Sequence, residues 1–227
     1  MKKISCIIPA HNEEAGIEQT LKVLSGLIGK NIFEVIVVDD ASVDATKEII
    51  KKFPNVRLVE HDINKGKSKS VADGIIVSSG EYVFLLDADL KFLSEKNIFD
   101  LIDPIENEKA DVSMSYIKNA WPLFPFKKID YLSGQRILPK DKVINMLEDM
   151  GKLPSYGLEV FLNRIIIKNK MRLAVVHWSE VENIFNQEKY GLIKGLQIVL
   201  KVWMNVISTV GILGMYYQNI KMRNLLI

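Results

Sequence analysis

Asp87-Ala88-Asp89 sets two carboxylates on one side of an extended chain, directly after the apolar run Tyr82-Val-Phe-Leu-Leu86. Hard oxygen ligands at that spacing suit a divalent cation that also holds a diphosphate. The same residues also make an ordinary Asp-rich turn. Lys67 offers a mobile cation to a diphosphate, or is one more solvated member of the run Lys65, Lys67, Lys69. Glu13 and Asp40 carry carboxylates that only accept hydrogen bonds, suited to the N–H of a base or to a ribose hydroxyl. Leu132-Ser-Gly-Gln-Arg136 reads as a Ser-Gly turn whose Arg fork faces a phosphate or carboxylate, or simply solvent. Glu159, in Tyr156-Gly-Leu-Glu159, can orient a hydroxyl or take its proton, or face the helix dipole as a first-turn acid. His177 ends an apolar strand pattern, where a lone histidine is more often structural.

Buried strands have to carry these groups to one place. Apolar runs predict strands over 4–9, 33–38, 56–60 and 81–89. Helical spacing of apolar residues predicts helices over 14–28, 45–53 and 67–77 between them. Ser42 or Asp44 caps the second helix and Pro54 closes it; Gly80 breaks the third. This alternation implies right-handed βαβ units on a mostly parallel sheet. The loops after the first, second and fourth strands then share one sheet edge, where open α/β sheets bind ligands. Beyond residue 90 the rhythm loosens. Helices are expected over 96–105, 141–150 and 158–167, strands over 110–117 and 171–176, and an aromatic, proline-punctuated loop over 121–126. The chain from 189 to its end reads as helix, broken at one or more glycines.

The 227 residues, 48% hydrophobic and 26% charged, suit a globular protein with a substantial core. A net charge of +2 gives no nucleic-acid footprint. Cys6 is the one cysteine, so no disulfide closes within the chain and a reducing compartment is expected. The apolar run after Met1-Lys-Lys is short for a signal peptide and reads as the first strand. A Gly-x-Gly-x-x-Gly after that strand is missing, as is a Gly-x-x-x-x-Gly-Lys-Ser/Thr, which disfavours dinucleotide oxidoreductases and P-loop enzymes.

Four segments in order, Pro9-Ala-His-Asn-Glu13, Val37-Val-Asp-Asp-Ala-Ser-Val-Asp-Ala-Thr46, Asn64-Lys-Gly-Lys67 and Asp87-Ala-Asp89, resemble the nucleotide-binding half of family 2 glycosyltransferases. The resemblance implies a GT-A fold, an α/β architecture with a mostly parallel central sheet flanked by helices and a helical C-terminal tail. It implies a catalytic domain over 1–188, with a nucleotide-binding half (1–90) and an acceptor half (91–188), followed by a helical segment over 189–227. The implied reaction moves a sugar from a UDP- or GDP-sugar to a hydroxyl or phosphate, with Mg²⁺ or Mn²⁺. Pro9, Ala10 and Glu13 would wrap the base and Asp40 would contact it. Lys67 would meet the diphosphate, Asp87 the ribose or metal, and Asp89 the metal directly. Ser68 stands where the family commonly has glycine. Ser133, Gly134, Arg136 and Glu159 match segments lying between donor sugar and acceptor in family 2 enzymes and in the similar glucosyl-phosphoglycerate synthases. In the latter a histidine placed like His177 completes the metal site, and imidazole suits Mn²⁺ better than Mg²⁺. The acceptor would be a small phosphorylated molecule, or a lipid-linked one as in dolichyl-phosphate-mannose-synthase-like members. A catalytically silent nucleotide-binding or membrane scaffold is the alternative of another class.

The tail bears on that choice. Residues 192–217 are largely apolar, interrupted by Lys194 and Lys201, loosened by Gly211 and Gly214, and followed by Lys221 and Arg223. The uninterrupted apolar character is short for a span, which needs about twenty such residues. It fits a helix lying on a membrane face, or one buried against a second subunit in a homodimer or against its own domain. A cytoplasmic enzyme attached peripherally is the expectation.

Overall fold

In the computed structural model, which describes residues 1–119, 129–154, 157–184 and 191–227, the strand of greatest consequence is β1 (Ile4–Ala10). Ile4, Cys6 and Ile8 point to one side of it and Ile7 to the other, and each of the four is fully buried. A strand apolar on both faces belongs inside a sheet covered twice. β2 (Glu34–Asp39) and β4 (Tyr82–Leu85) flank β1 in parallel, and β3 (Arg57–Glu60) lies outside β2. With β6 (Val112–Ile117), β7 (Arg136–Pro139) and β8 (Leu173–Trp178), the order is β3-β2-β1-β4-β7-β6-β8. Only β7 runs against its neighbours β4 and β6. A separate antiparallel ribbon pairs β5 (Leu90–Lys91) with β9 (Glu182–Asn183).

One face of the sheet is covered by α1 (Ile17–Ser25), α2 (Thr46–Ile50) and α4 (Glu95–Glu106), through Leu21, Leu24, Ile98 and Leu101. The other is covered by α3 (Lys67–Val77), α5 (Leu147–Gly151) and α6 (Leu158–Lys168), through Val71, Ile75, Leu162 and Ile166. Gly74 lets α3 lie close on β1: a Cβ there would fall 2.5 Å from Ile7 Cγ2. The last helix, α7 (Leu192–Arg223), packs on α6. It bends at Gly211, whose φ of 69° and ψ of 163° are not helical.

Three expectations change. The helix over 141–150 is instead two 3₁₀ turns, Lys140–Lys142 and Ile144–Met146, and then α5. Adjacent β-branched Val143 and Ile144, with Asn145, give this stretch little helical preference. The segment read as a turn ending at Arg136 leads instead into β7. The fourth strand stops at Leu85, so Asp87 and Asp89 ride on the loop beyond it. The aromatic segment 121–126, Tyr156 and the start of the tail at 189 lie outside the described residues.

Candidate active site

Asp87 is held from two sides. Lys67, the first residue of α3, puts Nζ 2.8 Å from Asp87 Oδ1 and 3.0 Å from Glu159 Oε1. Gln135 Nε2 donates to Asp87 Oδ2 at 2.7 Å. Gly66, at φ 88°, supplies the left-handed turn that aims Lys67 there. Gly134 gives the carboxylate its room, because a Cβ at that position would lie 2.3 Å from Asp87 Oδ2. Burial works against the charge on Lys67, but Asp87 and Glu159 outweigh it and hold the ammonium above the ordinary lysine value. Pro9, Lys67, Asp87, Gly134, Arg136 and Glu159 thus line one small cavity at the carboxyl ends of β1 and β4.

The backbone around Asp89 is pinned as firmly. Ala88 O accepts from Thr20 Oγ1 at 3.2 Å, and Asp89 O accepts from Ile184 N at 3.0 Å. Gly16, just before α1, abuts the loop so closely that a Cβ would lie 2.9 Å from Asp89 Cα.

At the ends of β1 and β2, Asp40 N donates to Ala10 O at 2.8 Å and Glu13 N donates to Thr46 Oγ1 at 2.8 Å. Asp40 itself looks inward. Its Oδ1 faces His61 Nδ1 at 2.7 Å and accepts from Lys65 N at 2.8 Å, and its Oδ2 accepts from Gly66 N at 2.7 Å. Burial raises the pKa of this carboxyl, yet the hydrogen bonds from His61, Lys65 and Gly66 prevail and keep it below the usual carboxylate range. Asp40 is therefore the clamp that shapes the loop leading to Lys67, rather than a carboxylate open to a base. Its neighbour Asp39 is only 3% exposed, and its Oδ1 has no hydrogen-bond partner among the described residues. A buried carboxylate oxygen left without a donor is costly, so Asp39 is a candidate acceptor for a donor group on a ligand. The sequence offers both aspartates; which of them the 61–66 loop consumes is visible only in three dimensions.

Arg136 also differs from its expected role. It is fully buried, with Nε donating to Ser133 O at 3.0 Å and Nη1 donating to Asn163 Oδ1 at 3.0 Å and to Glu159 O at 3.4 Å. Asn163 Nδ2 in turn donates to Tyr131 O at 3.0 Å. The fork that would meet a phosphate instead ties the first turns of α6, and with them Glu159, to the 131–135 turn. Ser133 Oγ is buried beside Ser115 Oγ and Gln135. Asp130, below this turn, was not foreseen. Burial raises its carboxyl to about 7, against the pull of Leu132 N and Arg136.

His177 does not join the cluster. It is exposed on β8, its ring 5.1 Å from that of Tyr116. β8 lies three strands from β4 in the sheet. Among the described residues no three His, Cys, Asp or Glu side chains are grouped as a metal cage.

The sequence model of glycosyl transferase family 2 matches residues 5–155. The chain belongs to that family. It is 38% identical over 97 residues to the probable glycosyltransferase YdaM of Bacillus subtilis, covering 39% of this chain and 23% of that one. It is 31% identical over 150 residues to the dolichol-phosphate mannosyltransferase of Pyrococcus furiosus, covering 61% of this chain and 42% of that one. The matches thus span less than half the length of these curated relatives. Among solved structures, the glucosyl-3-phosphoglycerate synthase of Mycobacterium tuberculosis, crystallised with Mn²⁺, UDP and phosphoglyceric acid, superposes with a TM-score of 0.76. That likeness covers 92% of this chain and 77% of the synthase at 21% identity, and it shows the GT-A fold.

For a family 2 chain, the donor set Asp87 and Asp89 suits a cation that keeps most of its sites for water and phosphate. Mg²⁺ is commonly held in this way, by one or two carboxylates plus substrate phosphates, so two carboxylates can suffice.

Proposed function

We propose that this chain is a metal-dependent glycosyltransferase that moves a sugar from a nucleoside-diphosphate sugar to a phosphate oxygen of a lipid-linked acceptor. The observation that carries the reading is the cluster of Asp87, Lys67 and Glu159 at the carboxyl ends of β1 and β4, the sheet edge where such folds bind nucleotides and where Asp39 ends β2. Asp39 takes an N–H of the base or a ribose hydroxyl, with Pro9, Ala10 and Glu13 forming the wall around it. Asp89 and Asp87 hold Mg²⁺ or Mn²⁺, which would neutralise charge on the departing diphosphate. Lys67 supplies a second positive charge there, and it is already drawn to the site by two carboxylates.

Glu159 bears on the acceptor. Its carboxylate is tied to Lys67, which suits orienting a sugar hydroxyl better than collecting a proton. An acceptor phosphate needs no base, because it is ionised at neutral pH. One of its oxygens forms the new bond to the anomeric carbon while the bond from that carbon to the diphosphate breaks, and the nucleoside diphosphate leaves with the electron pair. Relatives named for dolichyl phosphate, and the apolar outer face of α7, favour lipid over a small phosphorylated acceptor. Peripheral attachment at the cytoplasmic membrane face belongs to the same reading.

Incubation with labelled sugar nucleotides, metal and either polyprenyl phosphate or phosphoglycerate tests it. Label passing into the organic phase only with the lipid supports the proposal. Transfer to phosphoglycerate alone, or to neither, refutes it.

A further inference from the structure

Beyond the sheet edge, the least ordinary surface is that of α7. Ile193, Leu196, Leu200, Met204 and Ile207 recur at helical spacing on its outer side, and all are exposed. Its inner side packs Val202, Val206 and Val210 against Tyr131 and Val160. A helix apolar on both sides belongs inside a larger core or against lipid. Between Lys201 and Lys221 there is no charged residue, and Gly195–Arg223 is by length and composition able to cross a membrane. The bend at Gly211 and the packing on α6 favour instead a helix lying in the interface.

A groove of about 240 Å³ opens between α6 and α7 where the bend falls. Ile167, Val210, Gly214 and Tyr217 wall it, and Arg164 and Lys168 stand one helical turn apart at its rim. Arg164 Nη2 donates to Thr209 O at 2.5 Å, satisfying a carbonyl at the bend. Neither cation has an acidic partner among the described residues. Lys221 adds a third charge, its Nζ 5.3 Å from the centre of the Tyr217 ring. On the adjoining turn Ile212 and Leu213 stand out into solvent, Leu213 by 85%.

An apolar slot lined on one side by Arg164 and Lys168, neither with an acidic partner among the described residues, matches one kind of occupant, an anionic headgroup with hydrocarbon attached. We propose that this groove binds the phosphate headgroup of an anionic membrane lipid, with α7 lying in the bilayer interface around it. The tyrosines then sit at headgroup level, as aromatic residues do at such boundaries, and the cations meet the negative leaflet. The inference rests on the peripheral attachment proposed above and adds the site and the lipid charge it selects. It also gives the catalytic cluster an address. Glu159 lies on the same helix as Arg164 and Lys168, five and nine residues before them, or roughly 8 and 14 Å along the axis.

Flotation of the full chain with phosphatidylcholine vesicles, with and without phosphatidylglycerol, is the test. Binding should be at least about tenfold stronger to the anionic vesicles, and Lys168→Glu should weaken that binding about fivefold or more. Leu200→Asn should weaken binding to both kinds of vesicle, and excess inorganic phosphate should leave it unchanged. Equal binding to both vesicles, full binding by Lys168→Glu, or a stable dimer that binds neither would overturn the proposal. Hydrolysis of sugar nucleotide, read without vesicles on the same preparations, should be unchanged in Lys168→Glu. Its absence from the unaltered chain would count against the glycosyltransferase reading and leave the vesicle result to be judged by itself.

Discussion

Gly134 is the residue on which the Asp87 carboxylate most directly depends, and it does so by having no side chain. Gly134→Ala would drive a methyl into Asp87 Oδ2 and force the carboxylate from Lys67 and Gln135. We expect sugar-nucleotide affinity to fall tenfold or more with the melting temperature little changed, which calorimetry of binding and of unfolding would show side by side. The two neighbouring aspartates should separate in the opposite sense. Asp40→Asn cannot accept from His61, Lys65 and Gly66 at once, and should cost about 1–3 kcal/mol of stability. Asp39→Asn should leave stability equal or higher and weaken donor binding; denaturant titration and ligand titration of both variants decide it. The sequence reading named Asp40 and gave Asp39 no role. A carboxylate's partners come from residues 21 to 26 positions away, and no spacing rule reports where a loop will turn.

At the scale of elements, the first four strands and three helices were legible because each is an uninterrupted apolar run or a regular helical stripe. β7 was not. Four residues that begin with arginine and end with proline do not look like an internal strand, yet the sheet accepts them between β4 and β6. Arg136 was expected to present its fork to a phosphate or carboxylate; its partners Glu159 and Asn163 lie on α6, over twenty residues later. Arg136→Lys keeps the charge and loses the fork, so it should destabilise by about 2 kcal/mol or more by leaving a buried carbonyl or amide unpaired. Donor and acceptor affinities of the folded fraction should stay near those of the unaltered chain. Normal stability combined with a large loss of acceptor affinity would restore Arg136 to direct contact with substrate. His177 was expected to end its strand, and β8 instead runs on to Trp178.

For the whole molecule, Asp130 couples stability to pH. Burial raises its carboxyl to about 7, whereas in the unfolded chain it titrates near 3.9. Between those values the folded state holds the proton and the unfolded state does not, so this group's contribution to stability falls as pH rises from about 4 to about 7. Asp130→Asn should flatten that fall, giving a larger gain in melting temperature at about pH 8 than at about pH 5. Equal shifts at both would mean that Asp130 is ionised throughout. At the ends of β1, β2 and β4, Lys67 and the paired aspartates are proposed to hold a nucleoside diphosphate and a cation. That role is tested most directly by hydrolysis of a panel of UDP- and GDP-sugars with Mg²⁺ or Mn²⁺, with and without chelator, for the unaltered chain and Asp89→Asn. Turnover of at least one sugar nucleotide that disappears with chelator and with Asp89→Asn, while the variant keeps its melting temperature, is the predicted result. Turnover of none, or turnover indifferent to metal and to Asp89, would contradict it.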